Sequence, residues 1–399
     1  MLINDKKQSN NIVKYYGLVL VGLLIFGVGW SLGSGKVDLV QHNASVQTNV
    51  PNNLDYSSVE QIYDELRQNF DGKLDNAKLL DGLKTGLVAA SGDPYTEYMP
   101  PEKANDFKGQ LSGTFEGIGA LLGKNDKGNV IVISPIDGFP AKKAGLQPRD
   151  VIAEIDGKDA STLAVDKAVE KIRGPKGTNV KLRIIRDEKE DLTFEITREE
   201  INIPSVESKV LDSGIGYIKI SRFGDDTAEL SRTAAEKFKN DGVKNVILDL
   251  RGNPGGYLEA AVDVSSLWLN NKTVLQEKRD GKIIKTYSSR GTSPLEGIQT
   301  TVLIDEGSAS ASEITAGALH DNKAATLLGV KSFGKGSVQE PQTLKNGGLL
   351  KITVARWYTP NGKNIDKEGI QPDQKVERSE DDYKAGRDPQ LDAAITKLQ

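Results

Sequence analysis

The 399-residue chain contains no cysteine and only two histidines, His42 and His320. Without thiols there is no cysteine-protease chemistry, no disulfide scaffold and no thiolate zinc site, while the redox compartment stays open. Two histidines also exclude a zinc centre built from several imidazoles. A serine–histidine mechanism would have to rely on one of these two. No basic run or stripe stands out at a formal net charge of −4, so nothing points to nucleic acid. What remains has a globular composition, with 37% hydrophobic and 27% charged residues. The 41 glycines favour turns and strands over a helical bundle. The length predicts two or three domains.

Tyr15 to Leu32 reads YYGLVLVGLLIFGVGWSL, an uncharged run near the lower limit for spanning a bilayer. Lys6, Lys7 and Lys14 precede it, which keeps the N-terminus cytoplasmic and exports the rest. Trp30 suits the far interface. A cleaved signal peptide and a retained single-span anchor compete. No clear A-x-A site follows, which favours the anchor. The next stretch, to about Asn53, is polar and reads as an unstructured linker.

From Tyr56 to about Phe107 the pattern is helical, with Val59, Ile62, Tyr63, Leu66 and Phe70 at three- and four-residue steps. A second apolar set runs from Leu79 to Val88. SGDPYTEYMPP then breaks the helix. Residues from about Leu111 to Pro204 form short β-rich runs around one helix at Ala164 to Ile172. AKKAGLQPRD (Ala141 to Asp150) followed by VIAEIDG resembles a PDZ domain of the bacterial protease type. Such a module adds a peptide's end as a strand to its sheet edge, and backbone N–H groups at a glycine-containing turn hold the terminal carboxylate. That turn is Glu116-Gly117-Ile118-Gly119-Ala120. Gly117-x-Gly119-x-x-x-Gly123 departs from a dinucleotide loop because its third glycine is one residue late. Arg173, just after the helix, is a candidate for reading the peptide end, or else a solvated loop charge.

Beyond Val206, strands and helices alternate in an α/β manner, which places chemistry at the carboxyl ends of strands. GSASASEI (Gly307 to Ile314) follows the buried strand TTVLID and opens a helix. A serine there lies beside free N–H groups and the positive end of the helix dipole, which suits an oxyanion. Taken alone, Ser310-x-x-Glu313 favours a helix capping box. The next segment changes the balance: SFGKGSVQE sets Lys335 between two glycines, and burial would lower its pKa towards that of a base. Gln339 is placed to hold the amine. Gly329-x-x-x-x-Gly334-Lys335 imitates a phosphate loop, but Gly336 stands where magnesium needs Ser or Thr. His320, ten residues past Ser310 on the same helix, lies about 15 Å away. His42 sits in the linker.

GSASASEI, FGKGSVQ, DLRGNPGG and GDPYTEY, in this order-preserving set, resemble the carboxyl-terminal processing peptidases, from about Tyr56 to the C-terminal DPQLDAAI. The resemblance implies Ser310 as nucleophile, Lys335 as general base and Gln339 as the residue orienting the lysine. Its serine-to-lysine spacing selects Ser310 over Ser308 and Ser312. It also implies an oxyanion hole from the Ala311 N–H and either Gly255 or Gly256, with peptide-carboxylate binding at Gly117, Ile118, Gly119 and Ala120.

The expected fold is α+β multidomain. It comprises a tail and membrane anchor (or signal) at 1–34, a linker at 35–54, a helical segment at 55–110, a PDZ domain at 111–204 and an α/β crotonase-like protease core at 205–399. The expected activity is serine-type cleavage of exported proteins near their C-termini, outside the cytoplasm, with no cofactor or metal. Peptide C-termini and the membrane are the expected partners, and a homo-oligomer is compatible with the chain. The rival readings are a catalytically idle PDZ adaptor and a nucleotide-dependent membrane protein.

Overall fold

The computed structural model describes residues 53–399. The expected membrane span lies outside them. Among the described residues no helix is long and apolar enough to cross a membrane. The chain divides after Leu74 into two units. The described part of the first is one helix, Ser57–Asn69, with no fully buried residue.

The second unit opens with the helix Asn76–Ala89, where the Asp75 side chain accepts the N–H groups of Ala77 and Lys78 as an N-cap. The break read at SGDPYTEYMPP contains more than a turn. Glu97–Met99 is a strand, paired antiparallel with Leu349–Lys351 of the long strand Leu349–Tyr358. The helix Pro101–Ser112 follows, starting on a proline at its first turn and ending at Gly113, whose φ is +73°.

Residues 114–202 fold around their own apolar core. A sheet orders its strands Ala120–Lys124, Val130–Pro135, Val151–Ile155, Asn179–Arg186 and Glu190–Thr197, and Thr114–Gly117 pairs with Glu199–Asn202. Val180, Leu182 and Ile184 alternate inward between polar neighbours, the period-two signature of a strand with one covered face. Val165–Ile172 is the helix, buried through Ala168 and Ile172. Asp150 of the sequence motif has a packing role. Asp150 is almost fully buried, accepts the Gln147 N–H and holds the Arg186 guanidinium at 2.8 Å.

The remaining chain builds two sheets. One runs Val206–Val210, Gly216–Ile220, Asn245–Asp249, Gln299–Ile304, Thr326–Gly329, Gln374–Lys375, and every pairing after the first is parallel. Its central strands Asn245–Asp249 and Gln299–Ile304 are buried almost throughout because both faces are covered. Val246, Leu248, Val302 and Ile304 pack with residues of the helices Thr227–Asn240, Leu258–Ser265 and Ala311–Asp321. Ile247, Leu303 and Leu328 meet Ala394 and Leu398 of the last helix, Pro389–Leu398. The other sheet joins Ser337–Thr343, Leu349–Tyr358, Thr273–Arg279 and Lys282–Ser288 to the short strand Glu97–Met99. The glycine loop around Lys335 therefore leads into a strand, whereas a phosphate loop leads into a helix.

Candidate active site

Strand Gln299–Ile304 ends, and the chain turns into the helix Ala311–Asp321 through Ser310, whose φ of +53° and ψ of −111° are unusual for a residue with a side chain. Such a backbone costs of order 1–3 kcal/mol and persists only where its surroundings over-determine it. Here they do. Glu313, fully buried, accepts the Ser310 N–H at 2.9 Å, the Lys335 N–H at 2.9 Å, the Gly334 N–H at 2.7 Å and the Ser332 hydroxyl at 2.5 Å. Ser310 and Lys335 share one Glu313 oxygen, Oε2, so their backbone nitrogens lie less than about 6 Å apart. The capping pair read from the sequence is present, but its carboxylate also ties the Ser310 turn to the lysine loop.

The three serines of this turn differ. Ser308 is fully buried and donates its hydroxyl to the Leu250 carbonyl at 2.8 Å. Ser312 is fully buried and donates to the Asn253 carbonyl at 2.9 Å. Ser310 is half-buried, and among the described hydrogen bonds its hydroxyl donates to no group.

Against Ser310 lies the loop from Arg251 to Gly256. A Cβ on Gly255 would stand 2.9 Å from the Ser310 Cβ and 3.0 Å from the Ala311 nitrogen, so only glycine allows this approach. Asn253, wholly buried, fixes the loop: its Nδ2 donates to the Ile220 carbonyl and its Oδ1 accepts the Gly255 N–H at 2.9 Å. The Gly255 N–H is therefore spent. The N–H groups of Gly256 and Ala311 donate to nothing among the described residues. Beneath the loop, Arg251 spans two carboxylates, bonding Asp249 at 2.7 and 2.9 Å and Asp388 at 2.8 and 2.9 Å. That network ties the loop to the C-terminal helix and carries no signal readable from spacing.

The glycines around Lys335 are needed for packing. A Cβ on Gly334 would meet the Gly369 nitrogen at 2.8 Å, and one on Gly336 the Asp366 nitrogen at 2.7 Å. Burial of the Lys335 amine and the nearby Lys351 push its pKa below the ordinary lysine value, against the pull of Glu313 and Asp93. The amine lies 5.3 Å above the centroid of the Tyr95 ring. Among the described contacts it donates no hydrogen bond to Ser310 or Gln339. The Gln339 Nε2 instead donates to the Thr353 hydroxyl at 3.1 Å and the Ser337 hydroxyl at 3.3 Å, leaving its buried Oε1 without a donor among the described residues. His320 sits at the far end of the helix, paired with Asp373 at 3.0 Å.

In the smaller domain, Gly117 closes a strand and Ala120 opens the next. Between them, Ile118 and Gly119 accept hydrogen bonds through their carbonyls from Ala141 and Ile136, while their own N–H groups donate to nothing among the described residues. Gly119 has φ of +72°. Arg173 is half-buried, with its guanidinium 4.7 Å from the Phe115 ring and its Cγ 3.7 Å from where a Gly117 Cβ would stand. It is a packed neighbour of this loop.

Two family models match the chain: Peptidase family S41 over residues 214–376 and PDZ domain over residues 110–185. The chain is 37% identical over 379 residues to the probable CtpA-like serine protease of Staphylococcus haemolyticus (strain JCSC1435), covering 93% of this chain and 75% of that one. It is 39% identical over 346 residues to the carboxy-terminal processing protease CtpA of Bacillus subtilis (strain 168), covering 86% and 72%. Among solved structures, a photosystem II D1 C-terminal processing protease superposes with a TM-score of 0.50 at 26% identity, over 80% of this chain and 87% of that one. A putative S41 protease from Bacteroides fragilis shares the fold, with a TM-score of 0.57 at 17% identity over 88% and 98%.

Proposed function

Because this chain belongs to the carboxy-terminal processing serine proteases of peptidase family S41, we propose that it cleaves exported proteins near their C-termini with a Ser310–Lys335 dyad. The observation that carries this reading is the contrast among the three serines of one turn. Two are buried and committed to backbone carbonyls, and the third is half-buried on a strained backbone beside free N–H groups.

The chemistry follows from the groups in place. The Ser310 oxygen attacks the peptide carbonyl while Lys335 takes the hydroxyl proton. Lys335 returns that proton to the leaving amine, and water then releases the acyl group from Ser310. The N–H groups of Ala311 and Gly256 hold the oxyanion; the commitment of the Gly255 N–H to Asn253 favours Gly256 as the second donor. Gln339 holds the lysine amine through its unpartnered Oε1 once substrate is bound.

The free N–H groups of Ile118 and Gly119, in the loop Gly117 to Ala120, support capture of a peptide's terminal carboxylate by the PDZ domain. The apolar run Tyr15 to Leu32 with lysines before it supports a membrane anchor, with the crotonase-like core and PDZ domain on the extracytoplasmic side. With purified full-length protein and a peptide substrate, Ser310→Ala and Lys335→Ala should each lower kcat by roughly 10³-fold or more, and a chelator should change nothing. Full activity in either variant would rule out the dyad.

A further inference from the structure

GDPYTEY precedes the smaller domain by some twenty residues, yet its side chains reach the dyad. Asp93 folds the segment into a turn: its Oδ1 accepts the Tyr95 N–H at 3.3 Å and its Oδ2 accepts the Thr96 hydroxyl at 2.6 Å. The Thr96 oxygen in turn accepts the Thr353 N–H at 3.1 Å. Immediately afterwards Glu97–Met99 pairs with Leu349–Lys351. The turn is thus fastened to the strand that borders Ser337–Thr343, which begins two residues after Lys335. Thr353, the same residue, also receives Gln339. The outcome is an aromatic ring standing over the Lys335 amine, with a centroid distance of 5.3 Å. No described hydrogen bond uses the Tyr95 hydroxyl.

We propose that Tyr95 is a positioning residue for the reaction, its half-buried ring forming the wall that keeps water from the Lys335 amine. The inference rests on the reading of Lys335 as general base. Two effects of a ring at this distance oppose each other. Its π-face attracts an ammonium and so favours the charged amine, while its bulk displaces water and favours the neutral one. The charged groups facing the amine come from three elements: Lys351 from the long strand, Glu313 from the nucleophile helix and Asp93 from the turn itself. Lys351 disfavours the charged form and the two carboxylates favour it, yet burial is the largest influence and the net shift is downward. The half-buried ring, standing over the amine, is part of what buries it.

The test is the pH profile of kcat/KM for the full-length protein and its Tyr95→Phe, Tyr95→Leu and Tyr95→Ala variants. Phe keeps both the wall and the π-face, so its acid limb should coincide with that of the parent, whereas Leu keeps the wall and loses the π-face, so its limb should stay or move to lower pH. Ala admits water, so its limb should move to higher pH. At pH 7 this lowers kcat/KM roughly 3- to 10-fold, with convergence on the alkaline plateau. A loss of equal size at every pH in Tyr95→Ala, a limb that stays put or a limb that moves down overturns the inference. So does a Leu variant whose limb moves up like that of Ala, because bulk over the amine would then not be what excludes water. If Tyr95→Ala does not fold, Tyr95→Gln, which also admits water, must show the same upward shift. Lys335→Ala is run alongside. Full activity there defeats the base assignment itself, whereas an inactive Lys335→Ala with an unmoved Tyr95→Ala limb defeats only the wall.

Discussion

A lysine that accepts a proton must be uncharged for part of its time, and burial moves the Lys335 amine in that direction. The same burial has a consequence for stability. In the folded protein the amine is held below its ordinary pKa, so at neutral pH the unfolded chain binds protons more tightly at this site. Stability contributed by the site therefore rises with pH between the folded value and the ordinary lysine value of about 10.4. Lys335→Met removes the buried cation while keeping length and volume. It should raise Tm at pH 7 by about 1–2 °C, since the amine keeps partial access to water, and the gain should shrink towards pH 10. Thermal unfolding by circular dichroism at both pH values tests this; a lower Tm at pH 7 would show that Lys335 makes a net stabilising contact. At this scale the sequence was informative because glycines flank the lysine and histidine is nearly absent. The separate fates of Ser308, Ser310 and Ser312 were not legible, because they depend on the carbonyls of Leu250 and Asn253, some sixty residues away.

The elements of the site are joined by Glu313. Its carboxylate collects four donors from the Ser310 turn and the lysine loop, and charge-assisted bonds of this kind are the strong ones. Glu313→Gln keeps the shape but turns an NH₂ group towards N–H donors, leaving buried groups unpaired. Destabilisation of about 2–4 kcal/mol is expected, with kcat falling at least 10-fold as the two loops lose register. Urea unfolding and steady-state kinetics measure the two. Wild-type stability in the glutamine variant would mean that water or other groups satisfy those donors. From sequence, Ser310-x-x-Glu313 gave the cap alone, since local spacing cannot show that a helix residue also serves a loop twenty positions on. The strand Glu97–Met99 was missed for a related reason. Three residues between a proline-containing turn and Pro100 carry no period, and their strand character comes from pairing with Leu349–Lys351. The buried strands of the main sheet were legible, because each carries an unbroken apolar run, Val246 to Leu248 and Val302 to Ile304.

At the scale of the molecule, the smaller domain and the protease core are connected by two chain segments, and the Arg222–Asp226 pair holds both. Arg222 donates to the carbonyls of Leu111 and Ser112, where the chain enters the domain, and pairs with Asp226 at 3.3 Å. Asp226 in turn accepts the N–H of Ser205, where the chain returns. A Cβ on Gly113 would overlap the Arg222 guanidinium at 1.7 Å, so the entry point is closely fitted to the core. A domain held in this way can present a captured chain end to a site on the core, and the chemistry of capture decides which ends are presented. The N–H groups of Ile118 and Gly119 offer hydrogen bonds and a partial positive charge, which suit a carboxylate and not a carboxamide. A peptide ending in a free carboxylate should therefore be cleaved with a KM roughly 10-fold lower than the same peptide amidated at its C-terminus. The kcat should be little changed if the domain only recruits, and lower for the amide if capture also completes the site. Equal kcat/KM for the acid and amide peptides would show that the domain reads side chains or backbone instead of the chain end. Charge reversal within the peptide, away from its terminus, controls for a general preference for anions.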